Sequence, residues 1–287
     1  MVINVILCVL GPTGVGKTKL SIALAKHYNG IIVNADSMQI YKGLDIGTAK
    51  VTEEEKEGIE HKLFDIKDVN EMYTVYDYQK DLRNILDNNK DKNIIIVGGT
   101  GLYIKAGLYN YVFETENNIN NNYDNLTNEE LYKLVLKKDK NSDIHINNRK
   151  RLIRFLNKKE TIKDKDKLLY DVKFIGLTTN REILYDRINK RVDIMIKDGL
   201  LEEVKSFYDK NIRSKAIMTG IGYKELYDYY DGKISLDSAI ELIKKRSRHY
   251  AKRQYTWFNN QMNVKWFNVD FNDFNNTINE VLKYIGE

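Results

Sequence analysis

Short apolar runs rich in β-branched residues recur along the chain at Val2–Leu10, Ile31–Asn34, Asn93–Val97, Val172–Leu177 and Val264–Val269. Amphipathic stretches separate them, and the spacing of their apolar positions predicts helices over Lys17–Tyr28, Val75–Asn88, Arg181–Lys197, Leu201–Asp209, Lys224–Tyr229 and Leu236–Phe258. Strands that alternate with helices in this way predict an α/β fold, a parallel sheet flanked by helices. The pattern changes between Phe113 and Tyr170, where an asparagine-rich segment at Asn117–Asn122 leads into short basic helical stretches without a convincing strand. This segment reads as an inserted helical subdomain over residues 113–170, and residues 1–112 and 171–287 as the α/β core. Within the insert, Lys158–Lys167 is dense in Lys and Asp and reads as a solvated loop. There is no internal repeat.

The length fits this division, because single cores stop growing near roughly 250–300 residues and the chain has 287. Charged residues make up 30% and hydrophobic ones 42%, and no apolar run approaches the roughly 20 residues that span a bilayer. A soluble protein of the cytoplasm is expected. The opening MVINVILCVL lacks a basic flank and runs into a glycine-rich turn, so it reads as a buried strand rather than a signal peptide. The single cysteine, Cys8, lies in that run and reads as a small core hydrophobe. A net charge of +5 permits nucleic-acid binding without requiring it, so the placement of the charge has to decide. The four histidines show no metal-ligand spacing.

Gly11-Pro12-Thr13-Gly14-Val15-Gly16-Lys17-Thr18 fits the pattern G-x-x-x-x-G-K-[ST] directly after the first strand and directly before the first helix. Glycines let the backbone wrap an anion with its N–H groups inward, and the helix dipole adds a favourable field at the same point. Lys17 suits outer phosphate oxygens and the Thr18 hydroxyl suits a Mg²⁺ ion. The motif does not say which phosphate compound is held. ATP is the ordinary ligand of such loops, so a small-molecule kinase is one reading.

Further on, the block Asn34-Ala35-Asp36-Ser37-Met38-Gln39-Ile40-Tyr41-Lys42-Gly43-Leu44-Asp45-Ile46-Gly47-Thr48-Ala49-Lys50 closely resembles the one that follows the second strand in bacterial tRNA dimethylallyltransferases, also called tRNA isopentenyltransferases. Val97-Gly98-Gly99-Thr100-Gly101-Leu102-Tyr103, Gly220-Ile221-Gly222-Tyr223-Lys224-Glu225-Leu226 and Tyr250-Ala251-Lys252-Arg253-Gln254-Tyr255-Thr256-Trp257-Phe258 also resemble that family's motifs, in its order. The resemblance implies transfer of a dimethylallyl group from its diphosphate to the exocyclic amine of the adenosine 3′-adjacent to the anticodon. It gives the ATP-type loop residues Gly11, Thr13, Gly14, Gly16, Lys17 and Thr18 to that diphosphate, with Thr18 on Mg²⁺. It also implies that Asp36 is the general base, that Thr100 touches the reacting region and that Arg191 faces the diphosphate. Asp36, Ser37, Met38 and Gln39 are implied as tRNA contacts, Gln39 reading a base edge.

The chemistry agrees on independent grounds. An adenine amine is a poor nucleophile, and an allylic carbon ionises readily once positive charge stabilises its diphosphate leaving group. A carboxylate at a strand end can take the amine proton as the bond forms. On the residues alone plainer roles stay open: Asp36 as a metal-sphere or ribose-binding carboxylate, Thr100 as a turn residue, and Arg187 and Arg191 as partners of surface acids.

The stretch from Lys244 to Arg253 holds six basic residues and a histidine in ten. On a helix, Lys244, Lys245, Arg246, Arg248, His249, Lys252 and Arg253 fill an arc of about 200°, with Ala239, Ile240, Ile243, Tyr250, Ala251, Trp257 and Phe258 opposite. A solvated face is the plain reading. The resemblance gives Lys252, Arg253 and Gln254 to tRNA, and likewise Lys150, Arg151 and Arg154 of the insert. The chain departs from the family at Lys150, where glutamine is common, at Asn122, where an arginine is frequent, and at Met218-Thr219. Tyr41, Tyr103 and Tyr223 are candidates for stacking on splayed loop bases. The expected partners are a tRNA anticodon stem-loop and dimethylallyl diphosphate, and the expected state is a monomer. A non-enzymatic RNA-binding switch is the third reading, against which Asp36, Gln39 and Thr100 count.

Overall fold

Strand β1 (Ile6–Leu10) is apolar throughout because both its faces are covered: Leu7 and Val9 enter one hydrophobic core, Cys8 and Leu10 the other. Helix α1 (Lys17–His27) leads to β2 (Ile31–Asn34), then α2 (Glu53–Lys56), the two-residue β3 (His61–Lys62), α3 (Val75–Asn88), β4 (Ile94–Gly98) and α4 (Gly101–Leu108). Helices α5 (Asn128–Lys138) and α6 (Arg149–Asn157) precede β5 (Val172–Thr178). The chain continues through α7 (Arg181–Lys197), α8 (Leu200–Tyr208), α9 (Lys215–Thr219), α10 (Tyr223–Tyr230), the long α11 (Leu236–Gln261), β6 (Lys265–Asn268) and α12 (Phe274–Ile285). This computed structural model describes residues 4–113, 123, 125–157 and 167–286. The asparagine run Asn117–Asn122, residues 158–166 of the expected Lys-rich loop and residues 2–3 of the expected first strand lie outside the described residues.

All six strands are parallel, in the order β3-β2-β4-β1-β5-β6. The alternation seen in β1 repeats in its neighbours, with Ile31, Val33, Ile94 and Ile96 in one core and Ile32 and Ile95 in the other. From β1 the chain crosses over β4 to reach β2, whereas β5 pairs on the opposite side of β1. The crossover direction therefore reverses at β1. In open parallel sheets ligands bind outside the carboxyl ends of the strands at such a reversal. Here that edge carries the 11–18 loop after β1, Ala35 and Asp36 after β2, and Gly99 and Thr100 after β4.

The α/β class is as the pattern predicts. Helices α2, α4, α9 and α12 and strand β3 go beyond the expected elements, and α11 runs to Gln261 instead of Phe258. The chain divides into two units, Met1–Tyr109 with Leu168–Glu287, and Asn110–Lys167. The second unit packs α5 on α6 through Leu131, Val135, Ile144 and Leu152. Its α5 opens on a capping box between Thr127 and Glu130. Arg149 donates to the Tyr123 and Leu126 carbonyls at 2.8 and 2.6 Å, tying the start of α6 to the segment before α5. In the first unit, an antiparallel bridge between Tyr109 and Leu168 and a 2.9 Å bond from Leu169 N to Leu108 O bring together the points where the chain leaves and returns. Among the described residues no helix is long and apolar enough to cross a membrane.

Candidate active site

Three glycines shape the loop after β1. Gly11, Gly14 and Gly16 have φ of 142°, 83° and 103°, values that L side chains rarely adopt. At Gly11 there is also no room, since a Cβ would sit 2.6 Å from the Leu177 carbonyl oxygen. Lys17 folds back over this loop, its Nζ donating to Gly11 O at 3.1 Å and Pro12 O at 2.9 Å. Burial pushes its ammonium down to about 8, opposed by the Asp36 carboxylate and reinforced by the Arg191 guanidinium. Thr18 is exposed at the start of α1. Arg191 reaches the loop from α7, with Nη1 3.5 Å from Thr13 Oγ1. Burial lowers its pKa too, while Asp36 and Glu55 act to raise it. One turn earlier, Arg187 lies 3.9 Å over the Phe271 ring and donates from Nε to Gly14 O at 3.2 Å. The two arginines thus meet the loop rather than surface acids.

On the other side of the site, the ends of β2 and β4 are locked together. Ala35 N donates to Val97 O at 2.7 Å and Thr100 N to Ala35 O at 3.1 Å. The fully buried Asn34 holds the turn into Asp36, accepting from Asp36 N at 2.8 Å and donating to Asp36 O at 3.0 Å. Asp36 Oδ1 accepts from Met38 N at 2.9 Å. Oδ2 lies beside Gly99, 3.9 Å from where a Cβ on that residue would stand. Thr100 Oγ1 accepts from Ser37 N at 3.0 Å and donates to Ser37 Oγ at 3.3 Å. Asp36, Thr100, Lys17 and Arg191, spread over four elements, therefore converge on one edge of the sheet, and the Asp36 charge bears on both cations.

Several expected contacts are placed differently. Gln254 is 4% exposed and faces inward, whereas Lys252 and Arg253 beside it are exposed. The cationic arc of α11 is narrower than its sequence suggests. Lys244 pairs with Asp193 at 2.8 Å and Glu241 at 3.1 Å, Arg246 pairs with the buried Glu225, and Arg248 bonds Asn189. Lys245, His249, Lys252 and Arg253 remain outward. The stacking candidates Tyr41, Tyr103 and Tyr223 are all buried, and Tyr103 stacks on Tyr78 with centroids 4.4 Å apart. Gln39 spends its amide donors on the Thr48 and Ala49 carbonyls, at 3.0 and 3.3 Å. Lys150 and Arg154 are exposed on α6, as is Arg151, which also meets Asp143 at 3.2 Å. Thr219 is exposed and donates to Lys215 O at 2.7 Å.

Two residues that sequence reasoning missed organise the site from behind. Glu203 on α8 accepts from Asp45 N, Ile46 N and Gly47 N at 3.1, 2.7 and 3.1 Å, and from Tyr223 Oη at 2.5 Å, holding the segment that follows Gln39. Tyr250 on α11 lies close to Thr100 and Gln254, and burial, with Asp36 nearby, keeps its phenol protonated far above neutral pH. Glu203 has no local sequence signature, because the backbone groups it holds lie far away along the chain, and Tyr250 was visible only as the first residue of the Tyr250–Phe258 motif and a member of the apolar arc.

Among the described residues no three His, Cys, Asp or Glu side chains cluster to hold a metal. The exposed Thr18 hydroxyl is an oxygen donor of the kind that suits a hard cation which keeps most of its shell as water and substrate phosphate.

Residues 39–261 match the family model for IPP transferase. The chain belongs to this family. It is 47% identical to the tRNA dimethylallyltransferase of Anoxybacillus flavithermus, an alignment covering 98% of this chain and 96% of that protein, so the 11–18 loop and Asp36, outside the matched model, are covered as well. Among solved structures, the tRNA delta(2)-isopentenylpyrophosphate transferase of Staphylococcus epidermidis is 41% identical with a TM-score of 0.77, over 98% of both chains. A eukaryotic dimethylallyltransferase captured acting on tRNA is 27% identical with a TM-score of 0.81, over 97% of this chain and 77% of that one.

Proposed function

We propose that the chain transfers a dimethylallyl group from dimethylallyl diphosphate to the exocyclic amine of the adenosine 3′-adjacent to the anticodon of tRNA. The observation that carries this reading is the Asp36 carboxylate at the end of β2, set against the two cations of the diphosphate loop, Lys17 and Arg191. A kinase also sets a carboxylate beside its acceptor, so it is the family membership that counts against that rival.

In the proposed reaction the C–O bond to the diphosphate breaks while a bond from the adenine nitrogen to the allylic carbon forms. Lys17, Arg191 and the inward N–H groups of the 11–18 loop take up the negative charge that develops on the leaving group. Asp36 accepts the proton released by the amine, and Thr100 orients the acceptor beside it. Mg²⁺, held by Thr18 and the diphosphate, would add positive charge at the leaving group. Ser37, Met38 and Gln39 border the acceptor, and Lys252 and Arg253 on α11 with Lys150, Arg151 and Arg154 on α6 supply cations for the RNA backbone. The target adenosine leaves its stack to reach the donor, as enzymes that act on bases require. The proposed compartment is the cytoplasm and the proposed state a monomer.

Mass spectrometry of tRNA nucleosides after incubation with dimethylallyl diphosphate tests the reading directly. A prenylated adenosine is the expected product, and γ-phosphoryl transfer from ATP to a small acceptor in its place would refute the assignment. Asp36→Ala should lower turnover by ~10²–10⁴-fold, the scale of a lost general base, and leave tRNA affinity nearly intact. Normal turnover with lost tRNA affinity would make Asp36 a recognition residue.

A further inference from the structure

We propose that Gln254 is a positioning residue for the transfer reaction, its carboxamide fixing the diphosphate loop against the turn that carries Thr100. This rests on the reading of the site as a prenyl-transfer centre. The side chain is 4% exposed and joins two segments remote from it in sequence. Its Oε1 accepts from Thr13 N at 2.9 Å and its Nε2 donates to Gly99 O at 3.0 Å. Thr13 is the residue whose hydroxyl meets Arg191 at 3.5 Å, and Gly99 immediately precedes Thr100. One amide therefore sets both the guanidinium assigned to the leaving group and the hydroxyl assigned to the acceptor.

The chemistry requires a carboxamide. One end of the bridge must accept from a backbone N–H and the other must donate to a backbone carbonyl, which a carboxylate cannot do and a thioether cannot do either. The bridge is also sterically closed. A Cβ at position 99 would fall 2.0 Å from Gln254 Nε2, so glycine there lets the amide approach the turn. Buried polar groups of this kind leave their partners unsatisfied when removed, and the displaced groups here are the ones that need sub-ångström placement.

The test compares Gln254→Met, which keeps length and loses both bonds, with the wild-type enzyme. At saturating tRNA and dimethylallyl diphosphate, kcat should fall by ~10–100-fold, the scale of a small misplacement at a reacting centre. Calorimetry with inorganic pyrophosphate should show Kd raised by roughly tenfold, as for an orphaned buried donor, while the Kd for tRNA stays unchanged. In an Arg191→Ala background the same substitution should raise the pyrophosphate Kd much less, because that half of the bridge acts through Thr13 and Arg191. Weakened tRNA binding with normal pyrophosphate binding would make Gln254 an RNA contact and overturn the proposal. Effects that simply multiply with those of Arg191→Ala would reduce it to fold maintenance and overturn it equally. If Gln254→Met does not fold, Gln254→Asn, one methylene too short to span both partners, carries the same expectations and the same refutations. Failure of the underlying prenyl-transfer reading is seen in the wild-type enzyme, which would then form no prenylated adenosine.

Discussion

Lys17 is held by two carbonyls of its own loop, so the proposed diphosphate would have to draw the ammonium away from Gly11 and Pro12. Thr18 sits one residue on, exposed, with a hydroxyl suited to the metal that accompanies the anion. Lys17→Ala and Thr18→Ala should therefore each raise KM for dimethylallyl diphosphate, Lys17→Ala by ~100-fold or more for the loss of a charge-assisted contact. Titration of the donor at saturating tRNA checks this, and normal rates for both variants at low donor would take the loop out of donor binding. These residues were legible in the sequence because their signal is local: eight consecutive positions with three glycines, two threonines and a lysine, between a strand and a helix. Gln254 was legible only through the resemblance, as a tRNA contact beside Lys252 and Arg253, whereas the folded chain turns it inward. Its partners lie 241 and 155 residues away, and nothing in its neighbourhood along the chain announces them.

Helix α11 shows what a helical arc can and cannot say. Its 100° spacing placed the apolar side correctly, with Ala239, Ile243, Ala251 and Phe258 buried. The cationic side is shared between two tasks, because α7 and α10 supply acidic or amide partners at one end, whereas at the other no described acidic side chain pairs with Lys252 or Arg253 and Arg253 lies over the Tyr250 ring at 5.7 Å. Arg246→Ala should thus act on the fold, leaving the 1% exposed Glu225 with its bond from Gly222 N but without its counter-charge and lowering stability by about 2 kcal/mol. Thermal unfolding measures it, and an unchanged Tm would mean the pair contributes nothing. The double variant Lys252→Ala with Arg253→Ala should instead leave Tm in place, weaken tRNA binding and make its salt dependence shallower by about one unit of slope per lost phosphate contact. An unaltered slope would move the RNA path to Arg151 and Arg154. Elements missed in the sequence failed for physical reasons. Helix α4 is apolar on nearly all sides and holds two glycines, so it has no amphipathic stripe and reads as a loop motif. Strand β3 is two residues long, too short for any period to show. Helix α12, by contrast, has both a cap at Asp273 and a buried stripe of Phe274, Thr277, Val281 and Ile285, a signal that was present and passed over.

For the molecule as a whole, the neck at Tyr109 and Leu168 makes the insert separable in principle. Its two ends are already paired as an antiparallel bridge, so a tight Asn-Gly turn can replace Asn110–Lys167 without stretching the sheet. The shortened protein should unfold cooperatively and bind pyrophosphate within about threefold of the full chain, as a unit with its own core does, while tRNA binding weakens by ~10-fold or more from the lost cations of α6. Unchanged tRNA affinity would remove the insert from the RNA path. The order of the strands has a different consequence, which belongs to the ribosome. The strand at the centre of the sheet is synthesised before either neighbour, since Ile6 pairs with Ile94 on one side and Val172 on the other. At about 5–20 residues per second it waits several seconds for the first partner and roughly twice as long for the second. For that interval an apolar segment with two open edges protrudes from the nascent chain, so this enzyme's yield in the cell should depend on holdase chaperones far more than the stability of its finished fold suggests.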